Sequence, residues 1–287
     1  MKGTYFVTGA TGNVGRQVVR HLASAGHAVL GAGRPGSRPE SEEGVRYIDF
    51  DFTDPDTWRT CLDGVDGVFL MRPPHIGNIK KDMEPFMQYM KTRGVGHVVF
   101  MSVQGAEHNR LLPHNAVEQA CKALDLPATI IRPSFFMQNL TITHLVEIRD
   151  ERTVYTPTGE GRTNFIDARD IGDIAARILL DPSHIGKAYT VTGARSYSYG
   201  QVAEELSVSL DDDIRFANPG PIRFIAAHLR KGRSLKMTLV MLFLYTTVKL
   251  GRGDITTNDA ESLLGRPPRS LRDFLADYKG CLSGNAA

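Results

Sequence analysis

Three glycines near the start of the chain, Gly9, Gly12 and Gly15, have a spacing that suits the binding of a phosphate group. They follow an apolar run, Tyr5–Val7, that favours a buried strand, and helical periodicity begins at Val14. Glycines in such a turn let the backbone approach a pyrophosphate, which the free N–H groups and the positive dipole at the helix start then stabilise. The order strand, glycine turn, helix makes this pattern specific for a dinucleotide. The residues predicted to contact the dinucleotide here are Gly9, Thr11, Gly12, Asn13, Val14 and Gly15.

The residue after the second predicted strand normally decides which nicotinamide cofactor is bound. Ala28–Ala32 is interpreted as this strand, and Arg34 follows it, with Ser37 and Arg38 next. An acidic residue there would hold the ribose 2′-hydroxyl of NAD, whereas an arginine accommodates the 2′-phosphate of NADP. We therefore expect NADPH to be preferred over NADH. The alternative is a solvated arginine in a turn rich in proline and glycine.

Apolar strands alternate with helical stretches through the first half of the chain. Further strands are predicted at 46–50, 67–71, 98–101 and 128–131. Their spacing and continuous hydrophobicity predict an α/β fold, a doubly wound parallel sheet of the Rossmann type, with ligands outside the carboxyl ends of the strands. For Asp51 the alternative is the cap of a turn. The strand-end residues predicted to bind the cofactor are Asp51, Phe52, Met71, Arg72, Ser102 and Pro133.

The alternation of strands with helices becomes less regular in the second half of the chain, which suggests that the chain has two domains. We expect a dinucleotide-binding domain at 1–150, to which 165–195 returns, and a mainly helical, smaller substrate-side cap at 196–287. The most apolar stretch, 237–248, is shorter than the ~20 residues of a spanning helix and is interpreted as a buried or cap helix. The basic run 230–233 could touch anionic lipid or a partner, but a solvated edge of the cap is the favoured interpretation.

The composition of the chain indicates which binding partners and which cellular location to expect. A formal net charge of +2 gives no reason to expect nucleic-acid or membrane binding. The three cysteines have neither metal-ligand nor disulfide spacing, and Met1 runs directly into the first strand with no room for a signal peptide. We therefore expect a cytoplasmic protein that acts on a small molecule without a metal ion. The oligomeric state is left open.

Short-chain reductases usually donate a proton from a Tyr-x-x-x-Lys pair, in which the lysine lowers the pKa of the tyrosine. The helix after the fifth predicted strand has no tyrosine, and no lysine before Lys122. A match at Tyr245 and Lys249 lies far downstream and is interpreted as chance. His114 and Glu118 are one helical turn apart, so His114 is the candidate catalytic residue, as a proton donor or a group that orients a carbonyl. A structural role for both residues is the alternative.

Apolar bulk and amides after the sixth predicted strand suit the wall of a pocket for a flat or aromatic ligand. Such clusters of Phe and Met also form ordinary core, which is the alternative interpretation. The residues predicted to line the substrate pocket are Gln104, Phe135, Phe136 and Asn139.

Five segments of the sequence together resemble the NmrA-like atypical short-chain dehydrogenase/reductases. These segments are 7–15, 69–74, 102–106, 113–118 and 132–139, and the likeness continues at 154–161, 165–171 and 265–268. The resemblance implies a doubly wound NAD(P) domain, a small substrate-side lobe and often no tyrosine–lysine pair. Its isoflavone-type members use a catalytic lysine, which does not transfer, because no lysine lies between Lys91 and Lys122.

The resemblance favours the quinone and imine reductases of that family. It implies an NADPH-dependent reductase of a small conjugated substrate, a quinone, enone or iminium ion, that works by direct hydride transfer. The alternative is a regulatory protein that binds NADP(H) as a redox sensor with little or no turnover.

Overall fold

The computed structural model describes residues 2–33 and 43–284, which form two compact units. The first contains the residues up to Pro133 together with Ala168–Val191 and Asp259–Arg266. The second contains Ser134–Asp167, Thr192–Asn258 and the residues from Pro267 onward. The sequence-based domain boundaries, at 150 and at 165–195, lie close to these limits but do not coincide with them, and the assignment of a role to each domain stays a prediction.

The described residues contain strands and helices throughout. The strands are β1 (Thr4–Val7), β2 (Ala28–Gly33), β3 (Val45–Asp49), β4 (Gly67–Met71), β5 (His97–Met101), β6 (Ala128–Pro133), β7 (Phe135–Phe136), β8 (Thr153–Tyr155), β9 (Arg162–Ile166), β10 (Ala188–Val191), β11 (Ser196–Ser198) and β12 (Arg215–Ala217). The helices are α1 (Gly15–Ser24), α2 (Ile79–Asp82), α3 (Glu84–Thr92), α4 (Pro113–Ala123), α5 (Asn139–Ile142), α6 (Leu145–Arg149), α7 (Ala168–Leu180), α8 (Tyr199–Leu210), α9 (Pro221–Arg230), α10 (Leu235–Lys249), α11 (Asp259–Leu264), α12 (Leu271–Asp277) and α13 (Lys279–Ser283).

A seven-stranded sheet forms the centre of the first unit. Its strand order is β10-β6-β5-β4-β1-β2-β3, and every neighbouring pair is parallel. The chain leaves β1 toward β2 and β3, then returns to β4 on the other side of β1. The predicted doubly wound fold is confirmed, and the reversal at β1 and β4 is where such sheets bind ligands.

Helices cover the sheet because its strands are apolar on both faces. On one face, Phe6 and Phe100 are fully buried in a core with Phe86 of α3 and Val117 of α4. Helices α1 and α7 pack against each other. Helix α1 contacts β1 and β2, and α7 contacts β4, β5 and β6. Burial of an apolar side chain contributes about 1.5–3 kcal/mol, so the sheet and its helices form together.

The second unit combines short strands with helices. Strands β11, β9 and β7 form one small sheet, and β12 and β8 form another. Aromatic rings dominate the core, where Tyr199 packs edge-on against Phe165 and Tyr245, and Phe224 against Tyr245. The stretch 237–248, predicted to be a buried or cap helix, lies in α10, and a turn in which Gly232 has a φ of +79° separates α10 from α9. Helix α10 is not a buried helix, since most of its apolar side chains are exposed.

Candidate cofactor and substrate site

The turn between β1 and α1 requires glycine at both of its ends. Gly9 has a φ of +61°, which side chains rarely allow, and the N–H of Gly12 donates to its carbonyl at 2.9 Å. A Cβ atom on Gly15 would lie 2.1 Å from the Gly9 carbonyl oxygen, closer than any real contact. The first and last glycines therefore shape the turn itself.

The middle of the same turn is open and rich in unused donors. A Cβ on Gly12 would meet only the Gly9 carbonyl oxygen, at 3.2 Å. Helix α1 begins without a side-chain cap and without an acidic residue in its first turn. Among the described residues, the N–H groups of Asn13, Val14 and Gly15 have no hydrogen-bond acceptor. Such free N–H groups at a helix start fit a pyrophosphate.

Met71 and Thr8 join this turn to the neighbouring strand β4. A Cβ on Gly9 would lie 2.1 Å from Cε of Met71, so the methionine packs directly on the glycine. The buried Thr8 hydroxyl donates to the Phe69 carbonyl at 3.0 Å and accepts from the Met71 N–H at 2.7 Å. Sequence analysis missed Thr8. Its position immediately before the first glycine, at the end of a strand, is the signal that was available.

The two residues predicted at the end of β3 are held by local contacts. The carboxylate of Asp51 accepts from the N–H and the hydroxyl of Thr53, both at 2.7 Å, and the backbone hydrogen bond is the main reason that its pKa is lowered. Phe52 is buried, with its ring edge-on to Phe50 and Phe86. These contacts are those of a turn and a core. Arg34 lies outside the described residues.

A buried carboxylate connects the ends of β5 and β6 to α4. Glu118 is 8% exposed and does not face solvent. It accepts from the Ser102 hydroxyl at 2.5 Å and from two nitrogens of Arg132, at 2.7 and 3.1 Å. Glu107 adds a second carboxylate 3.3 Å from Arg132. The Ser102 hydroxyl is thus already engaged, and Arg132 is a residue that sequence analysis did not single out.

His114 and Arg72 are brought together at the ends of α4 and β4. The Nε–H of Arg72 points at Nε2 of His114 over 3.5 Å, and its Nη1 donates to the carbonyls of Pro73 and Ile76 at 2.9 and 2.6 Å. Burial first, and then the positive charge of Arg72, lower the pKa of His114 to about 4. The imidazole is therefore neutral at physiological pH, and its Nε2 is an acceptor.

Gln104 has an unused donor. Its backbone N–H donates to the Pro133 carbonyl at 3.0 Å, which ties together two residues predicted for the site. Its side-chain Nε2 is buried and has no hydrogen-bond partner in the part of the chain that the structure describes. A buried amide without a partner is costly unless a ligand satisfies it, so Gln104 is a candidate ligand contact.

The other predicted pocket residues lie in the second unit. Phe135 and Phe136 are half-buried, and Phe135 packs edge-on against Phe165. Gln138 donates to Asp167 at 2.9 Å, whereas the Asn139 side chain is half-buried and has no hydrogen bond among the described residues. A depression of about 330 Å³ lies in this unit. It is lined by Met137, Phe165, Ala194, Arg195, Tyr197 and Arg269–Arg272.

A family model confirms the resemblance seen in the sequence. The model described as the NmrA-like family matches residues 1–224. The chain belongs to the NmrA-like family.

Named relatives align with this NmrA-like chain over nearly its whole length. It is 32% identical to the NAD(P)H azoreductase of Xenophilus azovorans, with 93% of this chain and 95% of that protein covered. It is 29% identical to the prestalk A differentiation protein A of Dictyostelium discoideum, with 99% and 95% covered. The solved structure of the NADPH-dependent quinone oxidoreductase of Escherichia coli with NADPH has a TM-score of 0.87 at 19% identity, with 95% of this chain and 99% of that one covered. That likeness shows a shared fold.

The two residues of the downstream Tyr-x-x-x-Lys match in this NmrA-like protein lie in different environments, the tyrosine in the core and the lysine on the surface. Tyr245 is buried and shares a hydrogen bond of 2.7 Å with His144. Burial raises its pKa well above the ordinary tyrosine value, the opposite of the lowering that a proton-donating tyrosine needs. Lys249 is exposed at the end of α10. Within the described parts of the chain, no cluster of His, Cys, Asp or Glu could hold a metal ion.

Proposed function

We propose that this protein is an NADPH-dependent reductase that delivers a hydride to a small conjugated acceptor such as a quinone, an enone or an iminium ion. That it is an NAD(P)-binding oxidoreductase follows from its family and from the azoreductase relative. The observation that carries the cofactor assignment is the glycine turn, with its uncapped N–H groups and its open side at Gly12. A cofactor whose pyrophosphate bound there would supply a hydride from its reduced nicotinamide.

A conjugated acceptor suits this site because its side chains offer little acid help. His114 is neutral, and the Ser102 hydroxyl is engaged by Glu118. An iminium carbon accepts a hydride without a proton. A quinone spreads the incoming electron pair over its ring and carbonyl oxygen, and one proton from water then completes the hydroquinone. Catalysis would rest mainly on positioning of the reactants.

One group of the first unit is proposed to position the acceptor. The buried Nε2 of Gln104 would donate to a carbonyl oxygen, which would give this orphaned donor a partner. For Phe135 and Asn139, in the second unit, a place in the substrate pocket stays a prediction from the sequence. Hydrogen bonds to a substrate carbonyl discriminate strongly, because an analogue without the oxygen leaves the donor unpaired.

The preference for NADPH over NADH rests on Arg34 in the sequence, and it is part of the proposal. A guanidinium binds a 2′-phosphate through charge-assisted hydrogen bonds that a ribose hydroxyl cannot match. A cytoplasmic location, which supplies NADPH, is likewise proposed from the cysteine pattern.

The test is oxidation of NADPH by purified protein in the presence of a quinone, an enone or an iminium ion. We expect turnover with at least one class, and loss of turnover in Gly12→Ala at NADPH concentrations that saturate the wild type. Gly220→Ala is the control, because a Cβ there meets no atom within 4 Å. Absence of turnover with all three classes, with NADPH shown to be bound, would contradict the reductase.

That same outcome would favour the second candidate, a redox sensor that binds NADP(H) with little turnover. One observation supports it: a relative matched over 99% of this chain is named as a differentiation protein. A sensor should bind NADP⁺ and NADPH with different consequences for its structure. Limited proteolysis with each cofactor form would reveal that difference.

A further inference from the structure

Helices α9 and α10 expose an unusual concentration of apolar side chains. Nine of the fifteen large apolar side chains that are exposed in the described residues lie between Ile222 and Leu250. Ile222 is 84% exposed, and Phe243, near the middle of α10, is 52% exposed. We call this set the apolar face; it consists of Ile222, Leu229, Leu235, Met237, Leu239, Val240, Phe243, Leu244 and Leu250. Monomeric proteins rarely leave such a patch in water.

Helix α10 has more apolar surface than its own unit buries. Thr238, Met241, Tyr245 and Val248 form its single buried stripe. The remaining sides carry the apolar face, so the helix is hydrophobic nearly all round, which is typical of a helix that is covered on more than one side.

The charge of the same segment is entirely positive. Residues 214–253 contain eight lysines and arginines and no aspartate or glutamate, whereas the rest of the chain has 26 basic and 32 acidic residues. Seven of the eight are exposed, and five of these seven have no carboxylate in an ion pair among the described residues. We call these five the basic rim; they are Arg223, Arg230, Lys236, Lys249 and Arg252.

A second copy of the chain is a poor occupant for this surface. A symmetric dimer would place the same surface of both copies together, so two basic rims would meet without any acidic residue to offset them. Two threonine hydroxyls near the end of α10 are also engaged within the helix itself. The hydroxyls of Thr246 and Thr247 donate to carbonyls of their own helix, at 2.7 and 2.6 Å.

We propose that α9 and α10 form a docking surface for an anionic lipid membrane. The apolar face enters the boundary between headgroups and acyl chains, and the basic rim contacts the anionic headgroups. Helix α10, of 15 residues, is about 22 Å long. No helix in the described parts of the chain is long and apolar enough to cross a bilayer, so α9 and α10 would lie on the membrane surface. This proposal replaces the sequence-based expectation of no membrane partner, and it is independent of the reductase assignment.

Sedimentation with lipid vesicles tests the proposal. The full-length protein should sediment with vesicles that contain phosphatidylserine and phosphatidylcholine, and much less with phosphatidylcholine alone. Removing three rim charges in Lys236→Gln/Lys249→Gln/Arg252→Gln should weaken binding about a hundredfold, since each charge near the surface is worth about a factor of five. Phe243→Ser, which removes apolar bulk at an exposed position, should weaken binding about tenfold or more.

Matched variants separate the surface from general charge and hydrophobicity. Lys80→Gln/Lys122→Gln/Lys187→Gln removes the same charge from exposed sites in the first unit, and Val208→Ser removes an apolar side chain that is 79% exposed on α8. Both should bind vesicles like the wild type. Equal loss in the controls and in the surface variants would overturn the proposal.

Three further results would also overturn it. One is absence of sedimentation with phosphatidylserine vesicles at low salt. Another is a dimer in analytical ultracentrifugation that Phe243→Ser dissociates, which would assign the face to a second copy. Binding that survives Phe243→Ser unchanged but is lost with the rim variant would mean a purely electrostatic contact, as with an acidic protein, and would contradict insertion of the apolar face.

Discussion

The Nε atom of Arg72 lies 3.5 Å from Nε2 of His114, although the two residues are 42 positions apart in the chain. The contact decides what the histidine can do. A guanidinium facing Nε2, added to burial, disfavours the imidazolium, so that the pKa of His114 falls to about 4. His114 is better suited to hold Arg72 or a substrate carbonyl in place than to donate a proton.

The first prediction is that protonation of His114 does not make the reductase rate depend on pH. Protonation of a group with a lowered pKa occurs only at acidic pH, so we expect no loss of rate assignable to His114 between about pH 6 and 8. His114→Gln should lower kcat/KM by less than about tenfold, compared with 10²–10⁴-fold for loss of a general acid. His108→Gln, at an exposed histidine of the same unit, is the control. An inflection near the ordinary histidine pKa that disappears only in His114→Gln would show that His114 is the acid.

The second prediction separates two glycines of the same turn. In Gly15→Ala the new Cβ would lie 2.1 Å from a backbone oxygen, so the turn must shift, and we expect a loss of about 1–3 kcal/mol in the free energy of unfolding without cofactor. In Gly12→Ala the nearest atom is at 3.2 Å and the rest is open, so stability should change little while NADPH affinity falls more than about tenfold. Urea unfolding and calorimetric titration measure the two effects. Wild-type NADPH affinity in Gly12→Ala would mean that the turn does not hold the pyrophosphate.

The third prediction concerns the choice between NADPH and NADH. We expect NADPH to bind at least about tenfold more tightly, because a charge-assisted contact to its 2′-phosphate is worth about 1.5–3 kcal/mol. Arg34→Ala should abolish the difference by weakening NADPH alone. Arg46→Ala, at an exposed arginine of β3, should leave both affinities unchanged. Equal affinities in the wild type would exclude Arg34 as a phosphate ligand.

The fourth prediction is a loss of stability in mild acid that comes from His144. Its ring is buried beside Tyr245, and burial is the main cause that lowers its pKa to about 4. In the unfolded chain His144 takes up a proton below about pH 6.5, whereas in the folded chain it does not. The free energy of unfolding therefore decreases by about 1.4 kcal/mol for each unit that the pH falls.

Urea unfolding at several pH values between about 6.5 and 5 measures this slope, above the range in which most carboxylates titrate. His144→Gln should reduce it by about 1.4 kcal/mol per pH unit, whatever its effect at neutral pH. His108→Gln should leave the slope unchanged, because that side chain is exposed. A wild-type slope in His144→Gln would show that the acid sensitivity has another origin.

The local pattern of the sequence was enough for the fold and for the glycine turn. A run of apolar residues, three spaced glycines and a helical period between Tyr5 and Leu22 depend only on neighbouring residues, and they specify β1, the turn and α1 whatever the rest of the chain does. The alternation of strands with helices likewise fixed a doubly wound sheet, because handedness and burial leave few other arrangements.

Only the tertiary structure decided what the remaining polar residues do. Ser102 follows β5, whereas Glu118 belongs to α4 and Arg132 to β6, and their spacing in sequence does not indicate a buried ion pair. The neutrality of His114 likewise depends on burial and on a distant arginine. Side-chain direction and solvent exposure are set by packing between elements, so a helical period such as that of α10 cannot by itself distinguish a buried helix from one that leaves its apolar face in water.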